Sequence, residues 1–320
     1  MHWQPSSGPD TARRRAERLA VVRQFFAERD VLEVDVPGLS TAAGCDPNIE
    51  SLRVTTNRGR PLFLQTSPEF AMKRLLAGGY PDIFCIARVF RDGEIGRMHE
   101  PEFTLVEWYR QGFDLAALAA ETCALIAGVL ERTGLGRTTE TLRYEDAFKR
   151  HAGIDPLQDG IDRLAECAAA DASLRQALGD DRDAWLDLLL CNRVVPAFDQ
   201  GHLTVLSHYP ASQAALARLD PDDARYALRF EVFLGRVELA NGYVELLDVT
   251  EQKRRFAHEQ ALRERRGQPV LPIDRRLLAA LEHGLPDCAG VALGFERLHM
   301  LYEGVDDIAR VLTLSSGQDQ

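Results

Sequence analysis

Residues 90–110, FRDGEIGRMHEPEFTLVEWYR, place three arginines, four glutamates, an aspartate and a histidine between two strand-like apolar runs. Alternate residues of a strand share a face, so Phe103, Glu107 and Tyr109 lie on one side of the second run, a suitable place for a planar base and an ammonium group. Arg91 ends the first run, where its guanidinium could bind a carboxylate or a phosphate with two hydrogen bonds. For this segment alone, a salt-bridged hairpin without a ligand is the alternative.

A second group of charged residues lies in VELANGYVELLD, residues 237–248. Asn241-Gly242 is typical of a two-residue hairpin turn, and the pattern predicts a turn with Glu238 and Glu245 on its two arms. Carboxylates that converge across such a turn could hold Mg²⁺ against triphosphate oxygens or bind an amine. An ordinary turn flanked by exposed glutamates is the alternative.

The third candidate is GVALGFERLHML, residues 290–301, which is rich in small residues up to Gly294. Small residues let the backbone approach a ligand closely, and a helix then begins with Arg297 in its first turn. An arginine at a helix N-terminus adds to the positive potential there and suits a polyphosphate. Together, the three segments contain the parts needed for attack of a substrate carboxylate on the α-phosphate of ATP. That reaction uses arginine and Mg²⁺ but no protein nucleophile.

The elements that must position these segments are strands grouped towards both ends of the chain and helices in its middle. Hydrophobic spacing predicts helical segments at 13–29, 67–79, 115–190 and 248–267. Alternation and apolar runs predict strands at 31–37, 61–64, 82–91, 203–207 and 228–247. Ser67 and Asp248 have the side chains expected at helix N-termini. This distribution predicts an α+β fold with an antiparallel β-sheet.

The composition is that of an ordinary globular protein, with 320 residues, 45% hydrophobic and 27% charged, and a formal net charge of -11. No stretch approaches 18 uninterrupted apolar residues, and the N-terminus lacks the apolar core of a secretory signal, so we expect no membrane association. Six scattered cysteines without a C-x-x-C pair predict reduced thiols in a cytoplasmic protein. The acidic balance disfavours a broad nucleic-acid surface.

The three segments resemble the ordered motifs of class II aminoacyl-tRNA synthetases. RLAVVRQFFAERDVLEVDVPGLS, residues 18–40, resembles motif 1, whose final proline (here Pro37) lies near the dimer interface. Residues 90–110 resemble motif 2 and residues 290–301 resemble motif 3, while TSPEF, HEPEFT, EWY and ELANGYVEL are most similar to lysyl-tRNA synthetases. The resemblance implies an antiparallel sheet flanked by helices, the use of ATP and Mg²⁺, and a homodimer.

The resemblance covers nearly the whole chain but leaves only 17 residues before motif 1. That is too short for the OB-fold domain with which lysyl-tRNA synthetases read the anticodon, so we expect a single catalytic domain over 1–320 with a mostly helical insertion at about 115–190. HYPASQAALA and LPDCAGVALG are similar to the short paralogues that activate (R)-β-lysine and transfer it to a lysine of translation elongation factor P. A truncated synthetase that charges tRNA and a catalytically inactive regulatory paralogue are the alternatives.

The resemblance also implies a role for each matching residue. Arg91 would bind the α-phosphate and the attacking carboxylate, Arg297 would bind the γ-phosphate, and these two are the implied catalytic residues. The implied ATP contacts are Arg91, Asp92, Gly93, Glu100, Phe103, Glu238, Leu239, Gly294 and Arg297. The implied amino-acid contacts are Ser67, Pro68, Glu69, Glu107, Tyr109, Glu245 and Ala292. Glu238 and Glu245 are the expected Mg²⁺ ligands.

The chain departs from the family's usual motifs at three places. In motif 2, Arg91 is followed by Asp-Gly, which puts Glu94 one position later than usual, and Glu100 stands where asparagine is common. Ala292 stands where lysyl-tRNA synthetases mostly have glycine. An added methyl group beside the substrate can shift preference by about 1–3 kcal/mol, which would disfavour α-lysine and suit the displaced amine of β-lysine.

Overall fold

The computed structural model describes residues 3–57 and 59–315, which fold around one large β-sheet. The strands are β1 (Leu32–Glu33), β2 (Leu39–Ser40), β3 (Arg53–Thr55), β4 (Pro61–Leu64), β5 (Ile83–Phe90), β6 (Glu102–Gln111), β7 (Thr139–Arg143), β8 (Leu203–Pro210), β9 (Tyr226–Leu234), β10 (Val237–Val244) and β11 (Cys288–Gly294). Eight of them form the large sheet in the order β1-β5-β6-β11-β10-β9-β8-β7, and the other three form a small sheet in the order β2-β4-β3. All neighbours are antiparallel except the two edge pairs, β1–β5 and β7–β8.

Helices cover both faces of the large sheet. They are α1 (Pro9–Ala27), α2 (Glu69–Ala77), α3 (Leu115–Val129), α4 (Tyr144–His151), α5 (Ile161–Cys167), α6 (Ala172–Leu178), α7 (Arg182–Leu189), α8 (Val249–Arg265), α9 (Arg275–His283) and α10 (Phe295–Glu303). A π-helical turn at Leu190–Val194 extends α7. Within the described residues, none of the helices is both long and apolar enough to cross a membrane.

The two faces of the large sheet bury different side chains of the same strands. On β6, Val106 and Trp108 point to one face, here called the back face, where they join a core with α1, α3 and α10. Leu105 and Tyr109 point to the other, the front face, where α2, α8 and α9 pack. Because successive side chains alternate along a strand, β6 supplies core residues on one side and site residues on the other, as the sequence predicts.

The segment at about 115–190 does not form one separate helical block, because its first part belongs to the large sheet and to the layer of helices on the back face. The stretch at about 115–190 is mostly helical as predicted, but it begins with α3, which covers the back face, and it contains β7, which extends the sheet beside β8. Only the part from α4 onwards forms a separate layer, with its own core around Phe148 and Trp185. This separate layer starts at Tyr144, and the sequence missed the edge strand β7.

The predicted α+β architecture with an antiparallel sheet is confirmed, as are several local signals. The strand at 61–64 has the predicted bounds, and the side chain of Asp248 accepts hydrogen bonds from the backbone of Thr250 and Glu251 at the start of α8. The strand predicted at 31–37 is mostly wrong, because only the two short strands β1 and β2 flank Pro37.

The turn predicted at Asn241-Gly242 is also wrong. Both residues lie inside β10, and the chain reverses between β9 and β10 at Gly235, whose φ is 56°. Gly242 is required for packing instead, since a Cβ built there would lie 2.7 Å from Cβ of Val291 and 2.8 Å from Cζ of Phe230. Contacts between distant strands decide this position, and a local turn pattern does not contain them.

We predict that Gly242→Ala lowers the free energy of unfolding by about 1–3 kcal/mol, because the methyl group overfills the core on the back face. Gly128→Ala in α3 is the matched control, since no atom of the described residues lies within 4 Å of a Cβ built there. That control should be neutral or stabilising by up to about 1 kcal/mol. Urea unfolding of the two variants gives the comparison, and equal stability of Gly242→Ala and the wild type would contradict the packing role.

Candidate active site

A guanidinium and an aromatic ring form one end of the candidate site on the front face. Arg91 follows β5 directly, and its Cζ lies 5.1 Å from the centre of the Phe103 ring on β6. Phe103 pairs with Val89 across the two strands, so the register of β5 and β6 sets this contact. The Arg91 side chain is 25% exposed, which leaves the guanidinium accessible to a ligand anion.

The departure from the usual motif 2 pattern is accommodated by the loop after Arg91. Gly93 has a φ of 76°, a conformation that favours glycine, and Glu94 then turns back so that its Oε1 lies 3.5 Å from Nη1 of Arg91. The backbone N–H of Asp92 donates to the carbonyl of Glu50 at 2.9 Å, and the side chain of Asp92 is exposed. Glu94 is therefore the carboxylate that contacts Arg91, one position later than the motif predicts.

Arg297 lies in the first turn of α10, as predicted, and contacts Glu238 and His99. Its Nη1 donates to the backbone carbonyl of Glu238 at 3.1 Å and lies 3.5 Å from the carboxylate of the same residue. Its Nη2 lies 2.7 Å from Nε2 of His99. Burial and the charge of Arg297 lower the pKa of His99, so a neutral ring accepts this hydrogen bond. The sequence did not assign a role to His99.

Gly294 and Leu239 form the backbone floor next to Arg297. Gly294 precedes α10, and a Cβ built there would lie 4.0 Å from the carbonyl oxygen of Leu239. The Leu239 side chain is buried in the core on the back face, so only its backbone can face a ligand. The ATP contact that the resemblance implies for Leu239 would therefore have to come from its backbone.

The two predicted Mg²⁺ ligands lie at opposite ends of β10. Without a turn between them, Glu238 and Glu245 are separated by seven residues of strand, or about 23 Å, so one metal ion cannot bind both. Glu245 is fully buried and forms an ion pair with Lys73. Glu231 on β9 is near enough to Glu238 for their charges to interact. Burial raises the pKa of Glu231, the charge of Arg229 lowers it, and the charge of Glu238 raises it further. Within the described residues no group of three or more His, Cys, Asp or Glu side chains could hold a metal.

The other end of the site is a buried carboxylate, Glu107 of β6, held by two hydroxyl groups. Ser67 donates to its Oε2 and Tyr109 to its Oε1, both at 2.7 Å. The Ser67 Oγ also accepts from the backbone N–H of Glu69 at 3.0 Å, which ties the start of α2 to the sheet. Burial, followed by the charge of Glu69, raises the pKa of Glu107 to about 7.

Two further glutamates complete this carboxylate pocket. Lys73 of α2 lies 2.6 Å from Oε1 of Glu69 and also contacts Oε2 of Glu245. Tyr243, on the front face of β10, donates to Oε1 of Glu69 at 2.9 Å. The sequence predicted Glu69 and Glu245 but missed Lys73 and Tyr243. Lys73 stands four residues after Glu69 in a helix and Tyr243 two before Glu245 in a strand, so their spacing was an available signal.

Small residues of β11 form the floor between the two ends. Ala292 faces Glu107 on β6, as register partner across the ladder, and is partly exposed. At Gly290, a Cβ would lie 2.7 Å from Oε1 of Glu245 and closer still to the ring of Tyr109. Only glycine fits at position 290, whereas position 292 has room for the methyl group that it carries.

Pro68 and Glu100, a predicted amino-acid contact and a predicted ATP contact, lie apart from the groups described above. Pro68 is buried at the start of α2 and shapes the backbone before Glu69. The carboxylate of Glu100 accepts a hydrogen bond from Oγ of Ser315, and Glu100 lines a cavity of about 380 Å³ together with Arg15 of α1. This orientation towards the C-terminal segment does not support the ATP contact predicted for Glu100.

Comparisons with known proteins agree with this geometry. The family model described as tRNA synthetases class II (D, K and N) matches residues 6–317. The elongation factor P–(R)-beta-lysine ligases of Klebsiella pneumoniae (strain 342) and Salmonella paratyphi B (strain ATCC BAA-1250 / SPB7) are each 43% identical to this chain over 319 residues. The match covers 98% of this chain and 97% of each relative. Since the family model matches almost the whole chain and these relatives are 43% identical, this chain belongs to the class II tRNA synthetase family (D, K and N).

Proposed function

We propose that this chain is an ATP-dependent ligase that activates (R)-β-lysine as an adenylate and transfers it to a lysine side chain of translation elongation factor P. Its relatives at 43% identity have names that describe this ligase, and they match the chain over almost their whole length. The observation that carries the proposal is the front face, where the Arg91 and Phe103 pair shares strand β6 with Glu107, one of the three glutamates of the carboxylate pocket.

In the first step, a carboxylate oxygen of β-lysine attacks the α-phosphorus of ATP in line. The bond from that phosphorus to the β-phosphate oxygen breaks, and pyrophosphate leaves. Arg91 would stabilise the charge that develops on the α-phosphate, Phe103 would stack on adenine, and Arg297 would hold the γ-phosphate. The glutamates would bind the substrate ammonium groups and thereby direct its carboxylate towards Arg91.

In the second step, the ε-amine of the acceptor lysine attacks the acyl carbonyl of the adenylate. The carbon–oxygen bond to the phosphate breaks, AMP leaves with the electron pair, and the new amide nitrogen loses a proton. Neither the formation nor the use of an adenylate needs a covalent bond between substrate and enzyme. The front face therefore needs only groups that bind and position the substrates. A truncated lysyl-tRNA synthetase would perform the same first step and differ only in the acceptor.

Mg²⁺ fits the proposed site through Glu231 and Glu238, because carboxylate and phosphate oxygens are its preferred ligands. Bound there, the ion would neutralise the charge of the phosphates. Arg229 lies 2.6 Å from Glu231 and would orient that carboxylate.

We also propose a homodimer and a cytoplasmic location. Leu32 and Leu39, on either side of Pro37, are 46% and 47% exposed, and β1 is an edge strand of the large sheet. An open edge with exposed leucines is a surface that a second copy would cover. The six cysteines are free thiols, as in proteins of a reducing compartment.

The acceptor decides between the proposed ligase and its alternatives. Purified protein with ATP and Mg²⁺ is given α-lysine or β-lysine and either elongation factor P or lysine tRNA. We expect elongation factor P to gain the mass of one lysyl unit, with β-lysine preferred. Acid-precipitable label on the tRNA alone would identify a minimal synthetase, and no pyrophosphate exchange with either amino acid would identify an inactive paralogue.

Arg91→Ala should reduce adenylate formation by about 10²–10³-fold, because it removes a donor that acts on the reacting phosphate. ATP–pyrophosphate exchange measures this loss. Arg88→Ala is the matched control, since Arg88 lies near the end of β5, three residues before Arg91, with a side chain 49% exposed and an ion pair to Glu102 at 3.7 Å. Arg88→Ala should stay within about twofold of the wild type, and near-normal exchange by a folded Arg91→Ala variant would refute the role of Arg91.

Ala292→Gly should increase activation of α-lysine relative to β-lysine. Ala292 is directly opposite Glu107, so removing its methyl group opens space beside the substrate backbone. A change of about 1–3 kcal/mol corresponds to roughly a 10- to 200-fold shift in the ratio of kcat/KM for the two lysines. An unchanged ratio would show that position 292 does not determine the preference.

Acidification should weaken the binding of β-lysine. Glu107 has a pKa raised to about 7, chiefly by burial and then by the charge of Glu69, while burial also raises the pKa of Glu245 against the opposing effect of Lys73. A carboxyl group with a raised pKa carries a proton below that pH and no longer neutralises an ammonium group. KM for β-lysine should therefore increase by up to about tenfold per pH unit below pH 7. A KM that stays constant from pH 8 to pH 6 would contradict this.

A further inference from the structure

Lys73 is a buried lysine that the proposed reaction does not use. Its side chain is 3% exposed, and its ammonium group contacts Glu69 at 2.6 Å and Glu245, on opposite sides of the pocket. The ammonium also lies 5.6 Å from the centre of the Tyr243 ring, which faces it from β10. A lysine is seldom buried in this way without charged partners, so the position calls for an explanation beyond core packing.

Lys73 remains a cation in this pocket. Burial acts to lower the pKa of Lys73, but the charges and hydrogen bonds of Glu245 and Glu69 outweigh burial and raise it. Glu107 is a third carboxylate near the ammonium, since the charge of Glu69 raises the pKa of Glu107 and the charge of Lys73 opposes that change. The pocket therefore contains a fixed positive charge before any substrate binds.

The charges of the pocket match a substrate with two ammonium groups. Three carboxylates and one ammonium leave a net charge of −2 when all four groups are ionised, and β-lysine brings two ammonium groups besides the carboxylate that reacts. Apart from the contact with Lys73, neither oxygen of Glu245 has a hydrogen-bond partner among the described residues, although both are buried. A buried, unpaired carboxylate oxygen that faces a pocket is an expected ligand for a substrate ammonium.

The contacts also restrict which carboxylate oxygens remain for a substrate. Lys73 and Tyr243 both bind Oε1 of Glu69, and Lys73 contacts Oε2 of Glu245. Oε1 of Glu245 lies against Gly290, where a Cβ would be only 2.7 Å from it, and it takes no hydrogen bond among the described residues. Lys73 thus stands between the two carboxylates and fixes the orientation of each.

We propose that Lys73 is a positioning residue for the diamino-acid substrate. Lys73 holds Glu69 and Glu245 in fixed orientations, so that the oxygens it does not contact, Oε2 of Glu69 and Oε1 of Glu245, receive the substrate ammonium groups. This inference rests on the proposed function, because it takes the carboxylate pocket as the β-lysine site. Lys73 touches neither ATP nor the reacting atoms, so its effect should appear in amino-acid binding and not in nucleotide binding.

The test compares Lys73→Met, Lys73→Arg and the wild type by ATP–pyrophosphate exchange, with β-lysine and ATP varied separately. Lys73→Met leaves the buried Glu245 and the partly buried Glu69 without their shared cation, and KM for β-lysine should increase on the order of 100-fold while KM for ATP stays within about threefold. Lys73→Arg keeps the charge with a different geometry and should recover most of this loss, to about five- to tenfold above the wild type. Lys253→Met, which removes a lysine 50% exposed and 2.6 Å from Glu282, is the matched control and should change neither constant.

Wild-type exchange with β-lysine tests the proposed function by itself, and the variants then test Lys73. A KM for β-lysine within about threefold of the wild type in Lys73→Met would overturn the inference while leaving the proposed function intact. A parallel increase in KM for both substrates would overturn it too, because it indicates a general structural defect. If Lys73→Met shows no cooperative thermal transition, Lys73→Arg decides: a five- to tenfold increase in KM for β-lysine alone supports the inference, and an unchanged KM refutes it.

Discussion

The interaction on which the site depends is the burial of carboxylates on one face of a β-sheet. Glu107 and Glu245 are 2% and 0% exposed, and such groups are stable as anions only when hydrogen-bond donors or cations compensate for the lost water. Glu107 receives two hydroxyl groups and Glu245 receives Lys73, which also binds Glu69. The front face therefore holds buried carboxylates together with their hydrogen-bond donors and one cation, and a diamino acid bound as proposed would supply the remaining cations.

The back face makes this arrangement rigid. Trp108 and Val106 pack under α1 and α3 in the same strand that carries Glu107, so the carboxylate cannot move without disturbing the core. Glycine at 242 and 290 lets neighbouring strands and side chains approach at distances that a Cβ would prevent. Stability and function are thus supplied by alternate residues of the same strands, and a substitution on one face can act on the other.

Part of this organisation could be predicted from sequence because it depends on local periodicity. The alternation of Phe103 and Glu107 with Val106 and Trp108, and the placement of Arg297 in a first helical turn, need only the geometry of one strand or helix. The turn expected at Asn241-Gly242 failed because contacts with distant strands override a local pattern. The shared Mg²⁺ site failed for the same reason, since it assumed that turn.

The site residues that the sequence did not reveal are those whose partners lie in elements distant in sequence. The i, i+4 spacing of Lys73 to Glu69 is a local signal, but the contacts of Lys73 with Glu245 and of His99 with Arg297 join residues more than 150 positions apart, and no local spacing contains them.

The strand β6 also fixes the distance between the two halves of the site. Phe103 and Glu107 are four residues apart on one face, so the aromatic ring and the carboxylate are separated by about 13 Å along the strand. The α-phosphate and an extended amino acid must fit within this length, with Arg91 above Phe103 at one end and the carboxylate pocket at the other. Because a strand neither stretches nor changes its residue spacing, a substrate bound as proposed would be selected for length by the sheet itself and for charge by the side chains around Lys73.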